Sequence, residues 1–159
     1  MVRRLEIQTV APLIVVARQY ELTFEDFGRI PELAVESLSQ VREFFKDRGT
    51  CPSGPNIFEY RFHDSPHGPR RIQGGRFALT VGVPVSSATI PPAPLELIEL
   101  SALKYVEIIT NSFGDEWRRV RDLAEQSGFD RNLIEREVYL DWRGEGNPGS
   151  KVALQVGIK

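Results

Sequence analysis

Glu137 and Tyr139 stand two residues apart in an apolar stretch, 134–142. In a strand, that spacing puts a carboxylate and a phenol on one face. With Val138, Leu140 and Trp142 turned towards the helices, Glu135, Glu137, Tyr139 and Asp141 face the other way. A carboxylate beside aromatic rings on a concave sheet face suits a delocalised organic cation. Charge attraction at low local dielectric adds there to ring contacts, each contributing on the order of 1 kcal/mol. A buried carboxylate with no fixed partner also favours its protonated form, which suits a general acid or base. A solvated strand glutamate gives the same alternation, so spacing alone leaves both readings open.

Other candidates surround this pair. Glu107 alternates with Tyr105 and Ile109, and is either a second acid near Glu137 or an edge-strand glutamate. Tyr105 and Tyr139 are candidate pocket walls, because a buried hydroxyl needs a partner and a ligand could supply one. Phe113 and Trp117 lie one helical turn apart. Trp117 reads as core, whereas Phe113 opens its helix and could border a pocket. Tyr60 is a weaker candidate. His63, Asp64 and His67 share a turn-rich loop, but their spacing matches no zinc pattern and Cys51 is the single cysteine. No metal site is expected. The glycine-rich turns at 74–75 and 144–150 join strand to strand, so neither is a phosphate loop. No cofactor is expected.

The elements that must hold these residues follow from periodicity. Stretches 5–9 and 13–20 are rich in β-branched and aliphatic residues and are split by Pro12. Over 30–48, Ala34, Val35, Leu38, Val41, Phe44 and Phe45 form one helical stripe, with Pro31 at its start and Gly49 as its stop. Strands 57–62 and 76–85 follow, and 86–94 carries three prolines and reads as a linker. The pattern then returns: strand 103–110, a helix with Ser112 and Asp115 as a capping pair and Gly128 as its stop, strand 134–142 and strand 151–158.

The two halves, roughly 3–85 and 100–159, lie over each other. Phe77-Ala78-Leu79-Thr80-Val81-Gly82-Val83 matches Val152-Ala153-Leu154-Gln155-Val156-Gly157-Ile158 at one constant offset, and Glu59 pairs with Glu137. The sequence therefore predicts one α+β domain over 1–159, built from duplicated β-α-β-β halves that share an antiparallel sheet with two long helices on one face. A groove between related halves is a natural ligand site.

Composition narrows the function. With 20 basic and 22 acidic side chains there is no basic excess of the kind nucleic-acid binders carry. No signal peptide and no membrane-length apolar run is evident, and one cysteine favours a reducing compartment. The expectation is a free cytoplasmic protein.

Several segments carry a family resemblance. The stretch from Arg76 to Val85, RFALTVGVPV, resembles the signature closing the first half of GyrI-like effector-binding domains. Leu103-Lys104-Tyr105-Val106 resembles the strand opening their second half, Asn111-Ser112-Phe113…Trp117 their aromatic helix start, and Glu137-Val138-Tyr139-Leu140 their Glu-x-Tyr strand. The match runs in order through nearly the whole chain. Ile109, Asn111 and Thr80 depart from it, standing where the family often has His, Gly and an acidic residue.

The resemblance implies an SHS2-type duplicated fold, with helices on one sheet face and a ligand cleft on the other. Members are ligand-sensing domains of multidrug-responsive and AraC-type activators, a gyrase inhibitor, and hydrolases of cyclopropane-bearing toxins. It implies Glu137 as the buried acid that meets a cationic aromatic ligand, and as the catalytic group if the chain is an enzyme. The implied reading is a stand-alone binding protein for a hydrophobic, cationic or aromatic compound, with Glu137, Tyr139, Tyr105, Phe113, Glu107 and Trp117 as its site. Cyclopropanoid hydrolysis and docking on a protein partner are the alternatives, and direct DNA binding is not expected. Haem, bound by the distantly similar SOUL-type proteins, is an outlying possibility.

Overall fold

A computed structural model describes residues 5–63, 75–87, 89–111, 115–142 and 150–159. The loop with Asp64 and His67, the Ser112 cap, Phe113 and the turn at 144–149 lie outside the described residues. The strands are β1 (Gln8–Val10), β2 (Leu13–Thr23), β3 (Ile57–Phe62), β4 (Arg76–Pro84), β5 (Glu96–Leu100), β6 (Leu103–Thr110), β7 (Arg131–Asp141) and β8 (Lys151–Ile158). The helices are α1 (Ile30–Arg48) and α2 (Glu116–Gln126), and a 3-10 helix, Phe24–Arg29, leads into α1.

One antiparallel sheet holds all eight strands in the order β1-β6-β8-β7-β3-β4-β2-β5. Alternation sorts its side chains onto two faces. On one face Phe58, Phe77, Leu79, Val81, Tyr139, Leu154 and Val156 form the main core with α1 and α2. Leu33, Leu38, Val41 and Phe45 supply the buried stripe of α1, and Val120 and Ala124 that of α2. Both helices end where the sequence places a stop: Gly49 and Gly128 take φ of 62° and 79°, the left-handed region that glycine enters without a Cβ penalty. Only α1, at 19 residues, is long; α2 has 11, so the expectation of two long helices is corrected. Asp115 rather than Ser112 stands at the N-cap position of α2.

The second face is closed by the chain itself. β5 and β6 lie on opposite flanks of the sheet, yet only Ser101 and Ala102 separate them. With Cα atoms about 3.8 Å apart along the chain, two residues cannot bridge an open eight-stranded sheet, so the sheet curls around this face. Ser101 passes over its middle, where the Ser101 carbonyl accepts from Arg136 Nη2 at 2.8 Å and its hydroxyl from Arg61 Nη2 at 3.3 Å. Val15, Ala17, Ile57 and Leu100 pack inside the curl with Val138. Beside them a polar row crosses six strands through the cross-strand partners Glu107, Gln155, Arg136, Glu59, Thr80 and Gln19. Arg136 is 1% exposed and donates to Glu59 through Nε at 2.7 Å. The cleft expected on the face away from the helices is corrected for the described residues: their side chains pack together on that face.

Candidate functional site

β7 carries Glu137 at mid-strand, level with Phe58 of β3 on one side and Leu154 of β8 on the other. Its side chain points at the helices, the reverse of the expected direction. Glu135, Glu137 and Tyr139 share the helix face, while Val138 packs inside the curl. A register shift between Tyr139 and Asp141 lets Trp142 rejoin the helix-side core, and Leu140 is exposed.

Glu137 is 5% exposed, and three uncharged side chains donate to it. Oε1 accepts from the Tyr60 hydroxyl at 2.8 Å and from the Tyr139 hydroxyl at 3.5 Å. Oε2 accepts from Trp117 Nε1 at 3.3 Å. The elements explain the convergence. Tyr60 sits on β3 beside β7, and alternation with Phe58 and Phe62 turns it to the helix face. Trp117 stands in the first turn of α2, one turn before buried Val120. The Tyr139 ring is held by Phe58 at 4.9 Å and, edge-on, by Trp142 at 4.8 Å between centroids. A carboxylate has about four acceptor positions, and these donors contribute to filling them while their rings pack around it.

A charged pair borders the cage. Arg121 donates to Glu135 through Nε at 2.8 Å and Nη2 at 2.6 Å, and its guanidinium lies 5.2 Å from the Trp117 ring centre. Burial pulls the Arg121 pKa down, but the hydrogen bonds and charge of Glu135 outweigh it and the net shift is upward. This bidentate pair ties α2 to β7 across the sheet–helix interface.

The structure brings together three of the sequence's candidates and Tyr60, which the sequence ranked low. Glu137, Tyr139 and Trp117 meet. Tyr105 and Glu107 lie on the opposite face, where Tyr105 donates to Gln8 at 3.4 Å and Glu107 accepts from Gln8 at 3.3 Å and Gln155 at 3.0 Å. Their place beside Glu137 is corrected: the sheet separates them. Burial and the Glu107 charge raise the Tyr105 pKa, with Arg136 opposing. Trp117, read as core, is a hydrogen-bonding member of the site. Glu59 is not equivalent to Glu137, since it faces into the curl and pairs with Arg136.

No family model matches the chain, and no curated protein does. Solved structures do match. SAV2435 bound to tetraphenylphosphonium has a TM-score of 0.67 at 11% identity, over 99% of this chain and 94% of that one. The EcmrR C-terminal domain gives 0.61 at 11%, over 100% and 99%. A hydrolase from Listeria innocua gives 0.64 at 11%, over 99% and 92%. At such identities the likeness is one of fold. The chain shares its fold with SAV2435, with the EcmrR C-terminal domain and with this hydrolase.

Proposed function

We propose that this chain binds hydrophobic organic cations at Glu137, in a drug- or toxin-sensing, resistance or transcription-regulating role. The observation that carries the reading is the buried carboxylate ringed by Tyr60, Trp117 and Tyr139. A delocalised cation entering the cage meets a carboxylate at low dielectric, where a pair 4 Å apart gains about 4 kcal/mol at an effective dielectric constant of 20. Each desolvated ring face adds up to about 2 kcal/mol. A neutral ligand gains neither, so the cage favours charge. The tetraphenylphosphonium carried by SAV2435 is a ligand of this chemistry. The strand order β6-β8-β7-β3-β4-β2, one β-α-β-β unit mirrored by another, supports duplicated halves with the cage near their junction. The single cysteine supports a cytoplasmic setting.

Titration with tetraphenylphosphonium tests the reading. Wild type is expected to bind, and Glu137→Gln, which keeps shape and loses charge, to weaken binding at least tenfold, about 1.4 kcal/mol. Equal binding by both proteins would overturn it.

Hydrolysis is the second reading, favoured by the 2.8 Å contact between the Tyr60 hydroxyl and Glu137 Oε1. There Glu137 would activate water against a strained electrophile such as a cyclopropane, with Tyr60 as proton partner. Mass spectrometry separates the readings: recovery of unchanged ligand supports binding, and turnover lost in Glu137→Gln supports hydrolysis. Docking on a protein partner remains the third.

A further inference from the structure

A cavity of about 230 Å³ opens under the C-terminal end of α1. It shares no lining residue with the Glu137 cage. Val16 of β2 forms part of its floor, and β2 is separated from β7 by β4 and β3, three strand spacings or roughly 14 Å. Phe44, Phe45, Val16 and Val85 supply apolar wall, the two phenylalanines holding each other edge-on at 5.6 Å between centroids. The rim is of another character. Arg48, Thr50, Cys51, Ser86, Ser87 and Thr89 are its polar lining.

We infer that this cavity is a binding site for a small amphipathic anion, a one-ring or short-chain carboxylate or sulfonate. At about 30 Å³ per water, the volume displaces roughly eight waters, the size of a single ring with a short acidic arm. The apolar end enters among the phenylalanines, and the head stays at the rim, where Arg48 and the hydroxyls of Thr50 and Ser86 are donors and Ser87 and Thr89 share one bond with each other. Arg48 sets the sign. Its guanidinium lies 5.7 Å from the Phe44 ring centre, over the cavity wall, and it makes no ion pair among the described residues. A helix C-terminus repels anions, and here two of its last four carbonyls are already occupied: Gly49 N–H donates to Lys46 O and Thr50 N–H to Phe45 O. Lys46 and Arg48 outnumber Asp47 in that last turn and leave it net positive. The site is opposite in charge preference to the Glu137 cage and does not depend on it.

Cys51 makes the inference measurable, because it is the single cysteine and stands on this rim. The experiment follows the alkylation rate of wild type by neutral N-ethylmaleimide, with saturating phenylbutyrate, its amine analogue phenylbutylamine, or neither. Phenylbutyrate is expected to slow Cys51 at least about fivefold and the amine to leave it unchanged, since only the anion gains a charge-assisted contact with Arg48. Arg48→Gln, on an exposed residue, is expected to raise the phenylbutyrate concentration for half-protection about tenfold. Val85→Trp, filling the cavity, is expected to abolish protection, with thermal unfolding confirming the fold of both variants. Glu137→Gln is expected to leave protection intact, which separates this site from the cation cage. No protection by phenylbutyrate, equal protection by the amine, or protection indifferent to Arg48→Gln would each overturn the inference.

Discussion

At the scale of residues, Glu137 is satisfied by hydrogen bonds and enclosed by rings at once, so its neighbours serve two purposes. Tyr60 donates the shortest of the three bonds. Tyr60→Phe keeps the ring and removes the donor, leaving a buried carboxylate oxygen with less compensation. Its expected cost is about 1–3 kcal/mol in urea unfolding, while cation binding is retained through the remaining rings. An unchanged midpoint would mean that the hydroxyl bond is not part of the folded state's stability. Alternation put Glu137 and Tyr139 on one face because it is a local rule, whereas spacing alone read Trp117 as core and only the family resemblance brought it into the candidate site. Tyr60 was underrated because its importance comes from the register of β3 against β7, which pairs residues far apart in the chain. Alternation also states which residues share a face without stating which face receives the helices. The same ambiguity put Tyr105 and Glu107 beside Glu137.

At the scale of elements, the helix stripes, the glycine stops and most strand spans were readable from periodicity. β5 was not. Glu96-Leu97-Ile98-Glu99-Leu100 is a short edge strand behind a proline-rich segment, with charges of the kind that discourage edge pairing, and so its pattern is weak. Gly82 marks a close approach between two strands. A Cβ there would lie 2.6 Å from the Ala17 Cβ and 2.9 Å from the Val16 carbonyl oxygen, both on β2. Backbone cannot yield as a flexible side chain can. Gly82→Ala is therefore expected to lower stability by about 1–3 kcal/mol through overpacking between β4 and β2, read as a fall in melting temperature. A neutral result would require β2 to shift without loss, contrary to the tight pairing seen there.

Across the whole molecule, the two sheet faces do different work. The helix face holds the main core and the cage, and the curled face holds a buried ion pair. Arg136 and Glu59 are almost fully enclosed, and Arg136 also grips the carbonyl of Ser101. Arg136→Met leaves the buried Glu59 carboxylate with only the longer, more exposed pair to Arg61 at 3.6 Å and frees the clasp on the curl. The expected loss is about 3–5 kcal/mol, whereas joint replacement of Arg136 and Glu59 by apolar residues should recover most of it. Equal losses in the single and joint variants would locate the effect in the Ser101 contact instead. None of this was legible from the pattern Glu59-x-Arg61 or Glu135-Arg136-Glu137, because charge pairing across strands depends on a register that composition does not encode.

The Ser101–Ala102 link has a consequence for connectivity. β5 hydrogen-bonds to β2 and β6 to β8, so each flank keeps its ladder without the link. A chain reopened between these two residues, with its ends joined elsewhere, would retain every strand pair and lose only the covalent hinge of the curl. Such a permuted protein would isolate how much of the closure rests on one peptide bond and how much on the guanidinium beneath it.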